Sequence, residues 1–378
     1  MHNMHKENII FNVLRASLWG SRIQVSLEFV DWRMLFALAK SQSVLGLVAN
    51  VLLSNSELVQ RIPVKMQQRL RNFIRSNVAT HSVLNRTLVR VVMLMDDAGI
   101  QSVLLKGQGV ARNYPVPELR QCGDIDLYVG IENYSKACSL IDTIASEKMP
   151  ENGDSDKHYE AKVGEIVVEI HEYSEINPSA YYDAIYQKYS DEGLSTDLRV
   201  LDFSGVSVNT PSDTFNAFYI FNHLWQHFLT SGVGLRQFID WMLFIHKHKD
   251  TIDQSKLKCI LDDMNLMMPW QVLGCILVND LGLPSCDFPF YDKKYKRKKN
   301  RILKMVLKEG NFGHDRAYYK GRKEQGYWAV KIRSFYYNLE RYFQLLMIFP
   351  SHALRQFMNM LAIGFKAVWK DKLKTNRD

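Results

Sequence analysis

Two aspartates lie two residues apart inside a short apolar run, Gly123-Asp124-Ile125-Asp126-Leu127. The alternation of polar and apolar residues predicts a β-strand, on which both carboxylates project from the same face. Carboxylates this close repel each other, and a divalent cation beside them keeps both ionised. Magnesium binds a few carboxylates together with phosphate oxygens, and it offsets charge that develops during displacement at phosphorus. The pair therefore indicates a magnesium site that handles a nucleoside triphosphate.

A glycine turn lies seventeen residues before this pair. The short apolar segment Val103–Leu105 predicts a buried strand, after which Gly107 and Gly109 open a short helix. Gly107 at the end of a strand lets a phosphate approach backbone N–H groups. Either Lys106 or Arg120 could neutralise the remaining phosphate charge.

Helical periodicity surrounds this region on both sides. Residues 8–95 show apolar spacings typical of helices, including one helix that follows Pro63. Between residues 99 and 210 the pattern changes to short strands and turns, with one helix over Tyr134–Lys148. After residue 211 the chain is helical again, with Ser212 as an N-cap. We therefore expect a helical region at 1–98, a core at 99–210, and a helical region with a basic tail at 211–378.

Two hairpins are predicted inside the core. His158–Val163 and Ile166–Tyr173 form the first around Gly164-Glu165, and residues 199–203 and 206–208 form the second around Gly205. Within the first hairpin, Val167, Glu169 and His171 share one face of their strand.

Composition limits the class of protein. The chain has 378 residues, 47% of them apolar and 23% charged, as in ordinary globular proteins. Its five cysteines are scattered without a C-x-x-C pair, which argues against a zinc site and against a disulfide partner and favours a reducing cytoplasm. The polar start of the chain is unlike a secretory signal.

Basic residues are concentrated near the C-terminus. Residues 291–378 contain 22 basic and 7 acidic side chains, whereas residues 1–290 contain 26 and 33. This segment could bind RNA or an anionic membrane surface, although a solvated face is the simpler interpretation. The run Lys293–Lys299 predicts a solvated linker or exposed turn. Tyr342–Phe365 is apolar but interrupted, so we expect a buried helical hairpin broken at Pro350 rather than a transmembrane span.

The segments Leu104-Leu105-Lys106-Gly107 and Gly123-Asp124-Ile125-Asp126-Leu127, with Arg120 between them, resemble a family of bacterial nucleotidyltransferases of largely uncharacterised role. That family is related to the DNA polymerase β-like nucleotidyltransferase superfamily. The resemblance covers about residues 25–250. It implies an α+β fold, with a small mixed β-sheet nucleotidyltransferase core flanked by N-terminal and C-terminal helical regions, and three metal-binding carboxylates on adjacent strands.

The resemblance also suggests individual roles. Glu169 best matches the third carboxylate, and the alternative is an exposed strand glutamate. His171 either orients a carboxylate or meets substrate, or is a structural histidine. The superfamily usually has a small or hydroxyl residue where this chain has Gln108, whose amide could still donate a hydrogen bond to phosphate.

Other candidate residues are assigned to structure. His223 and His227 are four residues apart on a predicted helix, a spacing that can bind metal, but core or inter-domain packing is favoured because no Glu follows in an H-E-x-x-H pattern. Asp240, among apolar neighbours, is expected to be buried and hydrogen-bonded.

The leading hypothesis is an enzyme that moves a nucleoside monophosphate from an NTP, ATP among them, to an unidentified hydroxyl acceptor. Asp124, Asp126 and Glu169 would hold Mg²⁺ or alternatively Mn²⁺, the triphosphate would lie along Gly107–Gly109, and Asp126 or Glu169 would favour loss of the hydroxyl proton. The alternative is a binding or regulatory module of low activity that engages an anionic partner through its basic C-terminal segment.

Overall fold

Seven strands form one mixed sheet in the computed structural model, which describes residues 2–24, 30–148, 158–311, 327–359 and 361. The strands are β1 (Val103–Leu104), β2 (Asp124–Tyr128), β3 (Glu147–Lys148), β4 (His158–Val163), β5 (Ile166–His171), β6 (Arg199–Phe203) and β7 (Val206–Thr210). They lie in the order β3-β4-β5-β2-β1-β7-β6. Both predicted hairpins, β4–β5 and β6–β7, are antiparallel pairs. The predicted α+β class with a mixed sheet is confirmed.

The register at the centre of the sheet decides which side chains meet. β2 runs parallel to β5, with Asp126 opposite Glu169 and Asp124 opposite Val167. On its other side β2 pairs antiparallel with β1, where Leu104 lies opposite Leu127. Because side chains alternate between the two faces of a strand, both aspartates share one face of the sheet with Glu169.

Helices precede, interrupt and follow the sheet. Before it lie α1 (His2–Trp19), α2 (Trp32–Ser41), α3 (Leu45–Ser54), α4 (Ser56–Arg61) and α5 (Val64–Asp97). Among the strands lie α6 (Gln108–Ala111), α7 (Ile131–Ile144) and α8 (Ala180–Ser195). After them come α9 (Asp213–Leu229), α10 (Leu235–His248), α11 (Gln254–Asp263), α12 (Met267–Asn279), α13 (Lys296–Glu309) and α14 (Tyr327–Leu346). The predicted glycine stop of α5 is Gly99, which has a φ of +70°.

Two apolar clusters support this arrangement. One face of the sheet packs against α5 and α7 through Leu88, Ile125, Ile141 and Val168. The larger cluster combines side chains from α1 to α3 with side chains from α9 to α13, Phe221 and Trp241 among them. The N-terminal and C-terminal helices therefore bury their apolar faces together, while the boundaries at 98 and 210 stay a prediction.

One local prediction was wrong, one helix was missed, and one prediction holds only in part. The helix expected over Tyr134–Lys148 ends at Ile144, because Glu147 and Lys148 pair with β4 at the edge of the sheet. Helix α8 was not predicted, since its apolar residues do not form a clear stripe. The run Lys293–Lys299 is an exposed turn, as one alternative predicted, only at Lys293 and Lys294; the rest begins α13, and Lys299 is buried against Asp280.

The apolar segment near the C-terminus breaks where expected. Helix α14 ends at Leu346, and a further helical segment begins at Pro350. Several side chains here, including Met347 and Leu354, are exposed rather than buried. The end of the segment, residues 362–365, and the basic tail beyond it lie outside the described residues. No helix in the described part of the chain is long and apolar enough to cross a membrane.

One buried amide joins the two ends of the chain. The Gln42 side chain, at the end of α2, is fully buried and donates through Nε2 to the Val306 carbonyl of α13 at 3.2 Å. Its Oε1 accepts from the Leu235 N–H at the start of α10, at 3.1 Å. The Gln42 backbone carbonyl also accepts from the N–H of Arg236. A single residue thus ties α2 to two C-terminal helices.

Replacing Gln42 by leucine keeps the volume but leaves the buried N–H of Leu235 without a partner, whereas the Val306 carbonyl keeps its bond from the N–H of Gly310. Losing the partner of one buried donor costs roughly 1–3 kcal/mol, so we expect Gln42→Leu to lower the free energy of unfolding by at least about 1 kcal/mol. Urea denaturation followed by circular dichroism measures this change. Gln60→Leu, on the exposed surface of α4, is the control and should change stability by less than about 0.5 kcal/mol. Equal effects would contradict the assigned role of Gln42.

Candidate active site

The glycine turn after β1 lets other groups approach its backbone closely. Gly107 has a φ of +55°, in the left-handed region that side chains other than glycine's rarely adopt. A Cβ at this position would also lie 3.3 Å from the backbone oxygen of Asp124. At Gly109, a Cβ would press against Thr210 and Leu104. The backbone conformation therefore requires glycine at position 107, whereas a side chain at position 109 would need Thr210 and Leu104 to shift slightly, and Gly107 lines a pocket of about 350 Å³.

Gln108 points away from this pocket. Its side chain is buried against α5, where Nε2 donates to Asn85 Oδ1 at 3.0 Å and lies 3.3 Å from His81 Nδ1. The amide that we expected near the phosphates is therefore engaged elsewhere, which corrects that expectation. The bulk of Gln108 consequently does not obstruct the pocket, and only its backbone remains beside the turn.

Asp126 and Glu169 meet in the pocket as their register requires. Lys106, which follows β1, places its Nζ 3.1 Å from Asp126 Oδ1. His171, two residues after Glu169 on the same face of β5, places its Nε2 3.4 Å from Asp126 Oδ1 and 3.4 Å from Glu169 Oε2. Ligand atoms of Asp126, Glu169 and His171 all lie within 4.8 Å of one another. This is a donor set that suits a divalent cation.

Asp124 lies in the same pocket but apart from that group. It begins β2, the residue as a whole is more exposed than Asp126, and it lines the pocket with Lys106 and Asp126. In the part of the chain that the structure describes, Asp124 belongs neither to that group nor to a second group of possible metal ligands, which consists of His158, Glu160 and Glu169. The structure thus brings together Asp126, Glu169 and Lys106 tightly, and Asp124 more loosely.

The charges of the site separate the two aspartates. Burial by itself would raise the pKa of Asp126, but Lys106 and His171 outweigh it and hold that pKa well below its usual range. Loss of surrounding water, followed by the negative charges of Asp126 and Glu169, raises the pKa of Asp124. Burial would lower the pKa of Lys106, but Asp126 and Asp124 raise it overall. At neutral pH the site therefore has a firmly ionised Asp126 beside a protonated lysine.

Arg120 is committed to a structural ion pair. Its Nε and Nη2 donate to the two carboxylate oxygens of Asp240 at 2.7 and 2.8 Å, and its Nη1 lies 2.7 Å from Cys122 Sγ. The Tyr114 hydroxyl donates to the same carboxylate at 2.7 Å. Asp240 is buried and hydrogen-bonded as predicted. Arg120 lines the pocket, but its guanidinium is already paired with Asp240. This pairing disfavours the predicted contact between Arg120 and phosphate, which stays a prediction.

Several pocket residues were not predicted as site residues, and four of them are polar side chains from the loop after β5 and from helices α9 and α10. His223 and His227 of α9 line the pocket, rather than serving in core packing alone, and their rings lie 4.3 Å apart. Glu175, in the loop after β5, places Oε2 3.5 Å from His223 Nδ1. Arg236, at the start of α10, donates through Nη1 to the Gln121 carbonyl at 2.7 Å. The i, i+4 histidine spacing was visible in the sequence, but no pattern there related α9 or α10 to the sheet.

Burial keeps both histidines neutral at pH 7. Burial and the positive charge of Lys106 lower the pKa of His223. Burial and the adjacent His223 lower the pKa of His227 to about 3. This wall of the pocket therefore presents uncharged imidazoles, with the carboxylate of Glu175 beside them.

Comparison with known proteins points to one family. The family described as "Uncharacterised nucleotidyltransferase" matches residues 28–276. No curated protein gives a significant match.

Some solved structures resemble parts of the chain. They include ANT(2'')-Ia in complex with adenylyl-2''-tobramycin, 12% identical, which covers 48% of this chain and 97% of its own with a TM-score of 0.35. The solution structure of the antibiotic-resistance factor ANT(2'')-Ia is 11% identical, with 49% and 92% covered and a TM-score of 0.34. An antigenic nucleotidyltransferase-like protein from Paracoccidioides brasiliensis is 14% identical, with 56% and 96% covered and a TM-score of 0.31. Likenesses this distant carry no argument about the site.

Removing one partner of the buried Arg120–Asp240 pair should be costly. Asp240→Asn leaves the guanidinium of Arg120 buried without its counterion, for which the usual cost is about 3–5 kcal/mol of unfolding free energy. Chemical denaturation at pH 7 measures it. The control is Asp262→Asn, which breaks the exposed pair between Lys258 and Asp262 and should cost less than about 0.5 kcal/mol. A loss as small as that of the control would show that the buried pair does not stabilise the fold.

Proposed function

The chain belongs to the uncharacterised nucleotidyltransferase family, and from this we propose that it transfers a nucleoside monophosphate from an NTP to a hydroxyl acceptor with the help of a divalent cation. The observation that carries the proposal is the register of β2 and β5, which sets Asp126 opposite Glu169. Both side chains line a pocket bordered by the Gly107 turn and by Lys106. This is the combination of acidic and phosphate-accommodating groups that such a transfer needs.

The residues present fit a divalent cation. Asp124, Asp126 and Glu169 offer carboxylate oxygens, the donors that Mg²⁺ and Mn²⁺ accept. The pocket lining has five acidic side chains against three basic ones, so it retains an excess of negative charge; the acidic ones are Asp124, Asp126, Glu169, Glu175 and Asp240, and the basic ones are Lys106, Arg120 and Arg236. A bound cation would offset that charge and stabilise the negative charge that develops on the transferred phosphoryl group.

The basic residues of the pocket indicate where the triphosphate would bind. The ammonium of Lys106 and the backbone of Gly107–Gly109 would lie along the triphosphate. Arg236 is a better candidate than Arg120 for a second cationic contact, because Arg120 is paired with Asp240. Arg236 lines the pocket, and its positive charge acts on Asp124. Its Nε is buried without a hydrogen-bond partner in the described part of the chain.

The other residues that line the pocket indicate where the hydroxyl acceptor would bind. Asp126 is a weak proton acceptor, because its pKa is held well below its usual range, and we therefore assign the hydroxyl proton to the other candidate carboxylate, Glu169. Glu175, His223 and Tyr173 line the pocket beyond the carboxylates and would contact the hydroxyl acceptor. The neutral imidazole of His223 can accept a hydrogen bond from such a hydroxyl.

Transfer should depend on both aspartates. With ATP labelled at the α-phosphate, Mg²⁺ or Mn²⁺, and a cell extract as the source of acceptors, we expect the label to enter a product and unlabelled pyrophosphate to leave. The variant Asp124→Asn/Asp126→Asn should lose transfer by at least about 100-fold, because it removes two carboxylates from the cation site. Thin-layer chromatography of the labelled products measures both outcomes.

The controls identify the reaction and the residues. ATP labelled at the γ-phosphate should yield labelled pyrophosphate and no labelled acceptor, which distinguishes nucleotidyl transfer from phosphoryl transfer. Asp97→Asn, on the exposed end of α5, should retain full activity. Equal transfer by the wild type and the double variant, or no metal-dependent binding of any of the four NTPs, would refute the proposal.

Arg236 should contribute to binding of the triphosphate. Arg236→Gln removes the guanidinium from the pocket, and a hydrogen bond to a charged group contributes roughly 1.5–3 kcal/mol. We therefore expect the Kd for ATP to rise about 10- to 100-fold and the Kd for AMP to change far less, as measured by equilibrium dialysis. Arg90→Gln, on the exposed face of α5, should change neither. Equal losses for ATP and AMP would place Arg236 away from the phosphates.

A further inference from the structure

His171 occupies an unusual position for a structural histidine. Its side chain is only 9% exposed, and its Nε2 lies 3.4 Å from a carboxylate oxygen of Asp126 and 3.4 Å from one of Glu169. Neither contact has hydrogen-bond geometry, so this buried nitrogen has no hydrogen-bond partner within the described residues. A buried ring nitrogen without a hydrogen bond between two acidic oxygens is a position suited to an electrophile, either a proton on the ring or a bound cation.

The ring of His171 is held in this orientation by the sheet. His171 is the last residue of β5, and His158 lies opposite it on β4. The two rings stack with their centroids 5.0 Å apart and an angle of 29° between their planes. His158 is itself engaged, since its Nε2 lies 2.7 Å from Glu160 Oε1. Stacking thus fixes the plane in which Nε2 of His171 points between the carboxylates.

An imidazole among carboxylates changes which cation the site prefers. Mg²⁺ prefers oxygen ligands, whereas imidazole nitrogen favours first-row transition ions. Mn²⁺ accepts both donor types, because carboxylates suit it and nitrogen donors bind it more readily than they bind Mg²⁺. Asp126, Glu169 and His171 together therefore favour a transition ion of this kind.

We propose that His171 is a direct ligand of the cation, and that the site consequently selects a divalent first-row transition ion such as Mn²⁺ over Mg²⁺. The proposal depends on the proposed function only for the presence of a cation in the pocket. It adds a nitrogen donor to a site in which the carboxylates of Asp124, Asp126 and Glu169 are the expected ligands.

Binding of Mn²⁺ can be measured without knowing the acceptor. The full-length protein is titrated with Mn²⁺ while the free ion is followed by electron paramagnetic resonance, and Mg²⁺ is then added as a competitor. We expect Mn²⁺ to bind at least about tenfold more tightly than Mg²⁺, because a nitrogen ligand favours a first-row transition ion. Electron spin-echo modulation should show coupling of the bound Mn²⁺ to imidazole nitrogen.

The variant His171→Asn replaces the nitrogen donor by an amide that can offer oxygen. It should lose the nitrogen coupling and most of the preference for Mn²⁺, while binding of Mg²⁺ changes little. The matched control is His246→Asn, which alters another histidine–carboxylate pair, with Asp287, outside the pocket. It should keep both the coupling and the preference. Circular dichroism and thermal melting establish that each variant folds.

Three results would overturn the inference: equal affinity of the wild type for the two ions, absence of nitrogen coupling in the wild type, or coupling that survives in His171→Asn. If His171→Asn does not fold, the wild-type spectrum and ion preference decide alone.

The inference and the proposed function can fail separately. Mn²⁺ bound through nitrogen without nucleotidyl transfer would refute the function and leave the inference. Nucleotidyl transfer that both ions support equally and that His171→Asn does not change would refute the inference and leave the proposed function.

Discussion

Two carboxylates face each other across the parallel strands β2 and β5, and the rest of the site depends on offsetting their repulsion. The register puts Asp126 directly opposite Glu169, and neither could remain ionised there without positive charge nearby. Lys106 provides that charge from the end of β1, at 3.1 Å from Asp126. The two carboxylates are on a sheet face enclosed by helices, and burial there strengthens both their mutual repulsion and the attraction between Asp126 and Lys106. The glycine turn, the lysine and the strand register therefore form one unit.

A second buried charge pair connects this unit to the helices. Arg120 lies between the glycine turn and β2, and it donates two hydrogen bonds to the carboxylate of Asp240 in α10. Tyr114 donates a third hydrogen bond to the same carboxylate. Arg236, on the first turn of α10, is thereby brought to the pocket. The side chain of Gln42 attaches the start of α10 to α2 and α13. Side chains that bind no substrate thus decide which helical residues face the carboxylates.

Much of the core could be predicted because its signals are local. Alternation in Asp124–Tyr128, the glycine after α5 and the hairpin turn at Gly164 each follow from neighbouring residues, and the structure confirms them. Where local signals were weak the predictions failed, as for α8 and for the short edge strand β3. Arg120 and Gln108 illustrate another limit. Their residue types suit phosphate binding, but a distant Asp240 and the helix α5 engage their side chains instead.

The sequence by itself determined the family, the glycine turn and the aspartate pair with a glutamate to follow, because spacing of two residues on a strand fixes a shared face. Only the tertiary structure decided which groups complete the pocket. Glu175, His223, His227 and Arg236 come from a loop and two helices, and contacts between distant segments leave no periodic pattern in a chain. Likewise, the isolation of His171 Nε2 between two carboxylates depends on the pairing of β5 with β2 and β4, since only that pairing fixes the position and orientation of the ring.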